Sequence, residues 1–194
     1  MKKCIALILI ALLTACENAP SAFVPGPLAF ESTIAAPMRI HVAKIEVLNH
    51  YQSPLRRPNM EQDFPVAPAK AIEKWVARRL SATGSSGVLQ VIIHDGSVKE
   101  TPLRKTPGVK GLFTDDQDAR YDAKLAVTFR LFDGTSIASA ATGDVEVTRF
   151  ITINEKATVF ERERIYHQMT DAMMNDFERE ANARLHQHFS AVLK

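Results

Sequence analysis

Cysteine is nearly absent from this 194-residue chain, since Cys4 and Cys16 both lie within the first sixteen residues. A disulfide framework, a cysteine nucleophile and a cysteine-based metal site are therefore excluded for everything that follows. An excess of one charge is lacking too: 24 Lys+Arg stand against 22 Asp+Glu. This balance argues against binding polyanions by bulk charge, so no nucleic-acid partner is expected. The length and 46% hydrophobic content suit one globular domain plus extensions.

Long hydrophobic runs are also missing. The longest, of about ten residues, begins at Ile5 and follows Lys2 and Lys3, and it is too short to span the ~30 Å hydrocarbon core of a bilayer. A basic start, a short apolar run and small residues ahead of a cysteine are typical of a secretory signal peptide, predicted here over residues 1–15.

The end of this segment, Leu13-Thr14-Ala15-Cys16, resembles the lipobox of bacterial lipoproteins. The resemblance implies that Cys16 receives a diacylglycerol, that the chain is cut before it, and that its new amine is acylated. In bacterial lipoproteins, an aspartate directly after the lipidated cysteine implies retention at the inner membrane. Here that position holds Glu17, so the resemblance implies the periplasmic face of the outer membrane. The alternative is a plain signal peptide cleaved elsewhere.

Residues 16–38 are rich in proline and read as a lipidated tether, because proline removes backbone donors and blocks helices. The tether also holds apolar side chains that either pack onto the domain, which we favour, or dip into the membrane: Phe23, Val24, Leu28 and Phe30. Residues 39–194 are predicted to form a single domain.

Apolar periodicity in that domain predicts the order β-α-β-β-β-α. The first strand has a slip near Ala43 that indicates a bulge, Pro68 starts the first helix, and Gly84 caps its end. Thr158 and Glu161 form a capping box ahead of the last helix. The predicted fold class is α+β: a two-layer sandwich with an about four-stranded, mostly antiparallel sheet and two helices on one face. One sheet face is left for solvent or a partner.

Catalytic and metal-binding patterns are weak or missing. His186 and His188 are badly spaced for a shared metal on a helix, and a pair formed by His94 and Asp95 is better explained as a surface turn. Asp115 begins an acidic run without the glycine and distal glutamate of an EF-hand loop. We therefore expect no catalytic residue, no metal and no cofactor.

The connection from Thr101 to Arg120 is long for a hairpin and needs a reason. Three apolar residues at its tip, flanked by glycines, either fold onto their own domain or form a candidate partner-binding site: Val109, Leu112 and Phe113. Basic neighbours would suit an anionic headgroup or an acidic receptor: Arg104, Lys105 and Lys110.

The segment from Tyr121 to Gly134, followed by Arg149-Phe150 and the helix from Thr158 to Phe177, is similar to the LPS-assembly lipoprotein family. That resemblance implies a small sheet with two helices, seated as a plug in an outer-membrane barrel and contacting lipopolysaccharide. The first half, with Trp75 in a helix before the second strand, resembles the ABC-type transport auxiliary lipoproteins, which partner lipid-transport systems that carry MCE domains.

These features predict a lipid-anchored, non-enzymatic binding or adaptor module that assists an envelope machine for lipid or LPS transport or assembly. Its expected partners are the membrane, through the acyl chains, and an envelope protein such as a barrel or a transporter component, with lipid or LPS in contact. The alternatives are a periplasmic hydrolase-type enzyme and a purely structural envelope lipoprotein.

Overall fold

The computed structural model describes residues 23–32, 36–103, 117–134 and 138–194. These residues form three α-helices: α1 (Ala29–Ser32), α2 (Pro68–Arg79) and α3 (Val159–His188). They also form seven strands: β1 (Met38–Ile40), β2 (Lys44–Asn49), β3 (Leu80–Ala82), β4 (Val88–Asp95), β5 (Val98–Pro102), β6 (Gln117–Phe132) and β7 (Ala141–Asn154). Short 3-10 turns cover Glu61–Asp63 and Ser190–Val192.

The main sheet is built around the long strand β6. Strand β7 pairs antiparallel along one edge of β6, while β4 and β5 follow one another antiparallel along its other edge. Strand β2 lies outside β4 and runs parallel to it, as expected for two strands that flank a helix. The mixed α+β class is confirmed, but the sheet has five strands rather than four.

The extra strand arises from a break in what the sequence shows as one strand. The ladder shifts register between Ile93 and Asp95, and Asp95 Oδ1 accepts the backbone N–H of Ser97 at 2.9 Å. Gly96 lies at the break, where a Cβ would come within 2.8 Å of the Cβ of Ala69 in α2. Close packing of helix on sheet at this point therefore requires glycine.

The predicted bulge near Ala43 is instead a change of sheet. Strand β1 pairs parallel with β3 in a separate two-stranded ribbon, and the chain then crosses to β2 in the main sheet. Between them Val42 is buried, and the Ala43 N–H donates to the Ser86 carbonyl at 2.9 Å.

Helix α2 begins at Pro68, as predicted, but ends at Arg79 rather than near Gly84. The chain turns extended at once, because Leu80 begins β3. Gly84 does not cap the helix. It lets two backbone segments approach, since a Cβ there would lie 2.8 Å from the carbonyl carbon of His41.

Helix α3 starts with the predicted capping box between Thr158 and Glu161. Its far end does not extend past the domain. Phe189 is buried against the sheet, the Val192 carbonyl accepts the His41 N–H at 2.7 Å, and Leu193 bridges to Ile40. Gly143 lies in a regular part of β7 rather than in a bulge, and leaves room for the Phe189 ring, which a Cβ would meet at 3.1 Å.

One hydrophobic core lies between the sheet and the helices. The Phe177 ring of α3 packs 5.1 Å from Trp75 of α2 and 6.4 Å from Phe129 of β6, measured between ring centroids. Met169, Met173 and Met174 are buried in this core, as expected for adaptable filler. The N-terminal segment contributes as well, through buried Leu28 and Phe30.

Candidate functional site

One face of the main sheet points away from α2 and α3. The odd-numbered residues of the paired strands β6 and β7 turn toward the helices, whereas the even-numbered residues of β7 are exposed: Thr142, Asp144, Glu146, Thr148, Phe150 and Thr152. On the neighbouring strands Ile92 and Thr128 are buried within this face. In the described part of the chain both long helices pack on the other side of the sheet, so we call this surface the open face.

Charged side chains on the open face are paired with one another. The guanidinium of Arg120 donates to the Asp122 carboxylate through Nε and Nη2, with the Nη2–Oδ1 distance 2.6 Å. Lys124 Nζ lies 2.9 Å from Glu146 Oε2, and this hydrogen bond raises the pKa of Lys124. The hydrogen bond to Asp122 likewise raises the pKa of Arg120. Because these pairs are largely exposed, they orient side chains more than they stabilise the fold.

The same pairing continues to the edge of the sheet. Glu46 on β2 lies 2.8 Å from Lys44 Nζ and accepts a hydrogen bond from the Gln90 side chain at 3.2 Å. These contacts lower the pKa of Glu46, with the Lys44 hydrogen bond as the largest cause. Both signs of charge are thus interspersed across the open face.

A shallow groove of about 290 Å³ lies on the open face beside Phe150. Phe150 is 60% exposed, and the Arg120 Cζ sits 4.0 Å from the centre of its ring. Lys99, Lys124 and Asp95 also line the groove. An exposed aromatic ring under a guanidinium held by a carboxylate combines residue types that are enriched in protein–protein interfaces.

Three side chains form a hydrogen-bonded chain across the open face. His94 Nε2 lies 3.0 Å from Thr128 Oγ1, and this hydroxyl donates to Asp144 Oδ1 at 2.6 Å. Because the hydroxyl gives its one hydrogen to Asp144, it accepts from the Nε2–H of His94. A nucleophilic hydroxyl needs the opposite arrangement, with histidine accepting its proton. Asp95, the other member of the pair considered from sequence, accepts from the Ser97 N–H.

A buried carboxylate fastens the loop beside the groove. Glu61 is 3% exposed. Its Oε1 accepts hydroxyl hydrogen bonds from Tyr51 and Ser53, each at 2.5 Å, and its Oε2 accepts the Val98 N–H of β5 at 3.1 Å. Burial alone would raise the pKa of Glu61, but the hydrogen bonds from Ser53, Tyr51 and Val98 outweigh it and lower the pKa. The Asn59 amide completes the cluster at 3.4 Å.

The site residues predicted from sequence lie outside the described residues: Cys16, Val109, Leu112 and Phe113. The strand ends that flank the long connection are described. Pro102 pairs with Ala119 and Gln117 pairs with Asn154, so the connection leaves the sheet at the end where α3 starts.

No function was predicted from the sequence for the groove residues Arg120 and Phe150. A signal was present, because Phe150 interrupts a run of polar residues on the exposed parity of β7. Within the described ranges, no group of three or more histidine, cysteine, aspartate or glutamate side chains could hold a metal ion. Among the described helices, none is long and apolar enough to cross a membrane.

No family model matches the chain, and no curated protein sequence does. Several solved structures are similar in part. Lipoprotein B from Nitrosomonas europaea has a TM-score of 0.38 at 14% identity, with 77% of this chain and 91% of that chain covered. A homolog of a neuraminyllactose-binding hemagglutinin from Helicobacter pylori has a TM-score of 0.36 at 10% identity, covering 79% and 93%. Rare lipoprotein B from Shewanella oneidensis has a TM-score of 0.30 at 12% identity, covering 72% and 98%. Similarity of this extent assigns neither ligand nor partner to this chain.

Proposed function

We propose that this protein is a lipid-anchored, non-enzymatic adaptor of the bacterial cell envelope. Acyl chains on Cys16 hold it at the periplasmic face of the outer membrane, and the open face docks a partner protein. The observation that carries the docking role is the groove in which Phe150, 60% exposed, lies under Arg120. A partner surface that covered this ring would remove its exposed apolar area from water, which would favour binding.

The anchor is supported by the sequence of the first sixteen residues. Charge, apolar run, small residues and Cys16 follow in the order of a lipoprotein signal. Each buried methylene contributes ~0.8 kcal/mol, so several acyl chains together give durable attachment without a spanning helix.

The non-enzymatic role is supported by the direction of hydrogen bonding on the open face. Thr128 donates to Asp144, which leaves His94 as a donor rather than a base toward that hydroxyl. Two cations of the groove are likewise held by carboxylates, because Arg120 pairs with Asp122 and Lys124 with Glu146. Positions fixed in this way suit recognition of a surface more than turnover of a substrate.

The partner class we propose is a component of a lipid or LPS transport or assembly machine, either a barrel or a transporter subunit. Its surface should present an apolar or aromatic side chain to Phe150 and an acceptor to the guanidinium of Arg120. The long connection with Val109, Leu112 and Phe113 rejoins the sheet at Gln117, three residues before Arg120. Both elements therefore serve one partner in this proposal, with lipid or LPS in contact.

Phe150→Ala should weaken partner binding by about tenfold or more, because truncating a central aromatic anchor typically costs over ~1–2 kcal/mol. The measurement is affinity purification of the lipidated protein from crosslinked membranes, with quantified recovery of the specific partners. Arg120→Ala should lower recovery of the same partners, since it removes the guanidinium above the ring.

Leu55→Ala is the matched control. Leu55 is also exposed, at 71%, but lies in the loop between β2 and α2 and does not line the groove. Its recovery of partners should equal wild type. If Phe150→Ala and Arg120→Ala both recover partners as wild type does, the open face is not the docking surface, and a purely structural envelope role gains support.

A further inference from the structure

Exposed apolar side chains gather where α3 begins. Of the six large hydrophobic residues that are exposed in the described chain, three lie here: Val24 at 83%, Val159 at 74% and Phe160 at 39%. The Phe23 ring joins them, 5.7 Å from the Phe160 ring. We call Phe23, Val24, Val159 and Phe160 the apolar pole.

The N-terminal segment is bound to the domain by the residues that directly follow Phe23 and Val24 in the sequence. The Gly26 carbonyl lies 2.8 Å from His167 Nε2, and the Ala29 N–H donates to Asp171 Oδ1 at 2.6 Å. Leu28 and Phe30 are buried in the core. These contacts fix Phe23 against α3, where its ring also meets His167. The position at which the chain leaves the domain is therefore set by the fold.

The short chain between anchor and domain limits how far the apolar pole can lie from the bilayer. Six residues separate Cys16 from Phe23. Even fully extended, the step from one Cα to the other reaches at most about 25 Å. Helix α3 is about 45 Å long. The tether therefore keeps the start of α3 close to the bilayer but does not constrain its other end, at His188.

We infer that the apolar pole inserts into the surface of the bilayer that holds the lipid anchor, and so fixes the orientation of the domain. This inference rests on the proposed acylation of Cys16. Charges around the pole are mixed, with Lys156 and Arg164 near Glu161 and Glu163, so apolar contact rather than attraction to anionic headgroups drives insertion. Strand β7 has its last residue, Asn154, near the start of α3, and the rest of the strand extends from there away from the membrane. The open face therefore stays accessible to a partner.

A fluorophore at Val159 tests this directly. The mature chain offers no free thiol, because Cys4 leaves with the signal and Cys16 carries lipid, so Val159→Cys gives a single labelling site. The lipidated full-length protein is labelled with NBD and reconstituted into phosphatidylethanolamine–phosphatidylglycerol vesicles that contain nitroxide-labelled lipid. We expect blue-shifted emission, and quenching at least about twofold greater than at Gln187→Cys, which lies on the same helix about 40 Å away. Adding Phe160→Asp should reduce that quenching.

Other outcomes overturn the inference in distinguishable ways. Blue-shifted emission without lipid quenching would mean that protein, either a second copy or a partner, covers the apolar pole. Equal, weak quenching at both positions in vesicle-bound protein would mean that the pole stays in water while the anchor holds. Recovery of the protein free of vesicles would instead contradict the acylation of Cys16, and with it the proposed function.

Discussion

Replacing Phe177 by alanine should lower the free energy of unfolding by about 4 kcal/mol, within the range measured for deletion of a buried phenyl ring. Phe177 is fully buried, and its ring connects Trp75 of α2 with Phe129 of β6. Removing it leaves a cavity where both long helices and the sheet meet. Chemical denaturation of the detergent-solubilised protein, followed by far-UV circular dichroism, measures the change.

Phe160→Ala is the control, because it removes the same ring from the same helix at a position that is 39% exposed. Its cost should be about half that of Phe177→Ala or less, since part of the Phe160 ring is already in contact with water and its removal leaves no enclosed cavity. Equal losses at the two positions would contradict the assignment of Phe177 to the core and of Phe160 to the surface.

Glu61→Ala should cost about 3 kcal/mol, although glutamate is rarely a large contributor to stability. The carboxylate is 3% exposed and satisfies the hydroxyls of Tyr51 and Ser53 together with the Val98 N–H. Truncation leaves the buried Val98 N–H without its acceptor and also removes the acceptor of two half-buried hydroxyls. An unsatisfied buried donor costs about 1–3 kcal/mol. Glu73→Ala, at an exposed pair with Lys70, should change stability by about 0–1 kcal/mol.

The acid sensitivity of the fold should depend on the same residue. Its hydrogen bonds lower the pKa of Glu61 in the folded state below its ordinary value of 4.5. The ionised carboxylate therefore contributes stability above that value, and the contribution disappears as pH falls through the folded-state pKa. The difference in unfolding free energy between wild type and Glu61→Gln should shrink in this acidic window. A difference that is constant from neutral pH to pH 3 would contradict the ionised, hydrogen-bonded carboxylate.

Local patterns predicted those elements whose residues carry enough information by themselves. The alternation of β6 places Leu125, Val127 and Phe129 in the core, and the capping box at Thr158 starts α3. The positions at which strands end were predicted wrongly, because the contacts that cause these breaks involve residues elsewhere in the chain. Gly96 interrupts a strand at its contact with α2, and a one-strand periodicity cannot show that the partner of β1 is β3 rather than β4.

The candidate site divides in the same way. A lipobox is read from consecutive residues, so Cys16 needs no tertiary information. The groove pairs Arg120 with Phe150 through strand register, since Asp122 faces Phe150 and Arg120 faces Thr152 across the β6–β7 ladder. A register shifted by one residue would send Phe150 to the other face, and sequence alternation alone does not determine which β6 residue each β7 residue faces.

Acylation of Cys16 is the central claim, because both the adaptor role and the orientation of the domain depend on it. The most direct measurement is incorporation of labelled palmitate, combined with membrane fractionation of wild type and Cys16→Ser. The expected result is label in the wild-type protein, no label in the variant, and loss of the mature variant from the outer-membrane fraction. An unlabelled wild type, or a variant that fractionates as wild type does, would contradict the account.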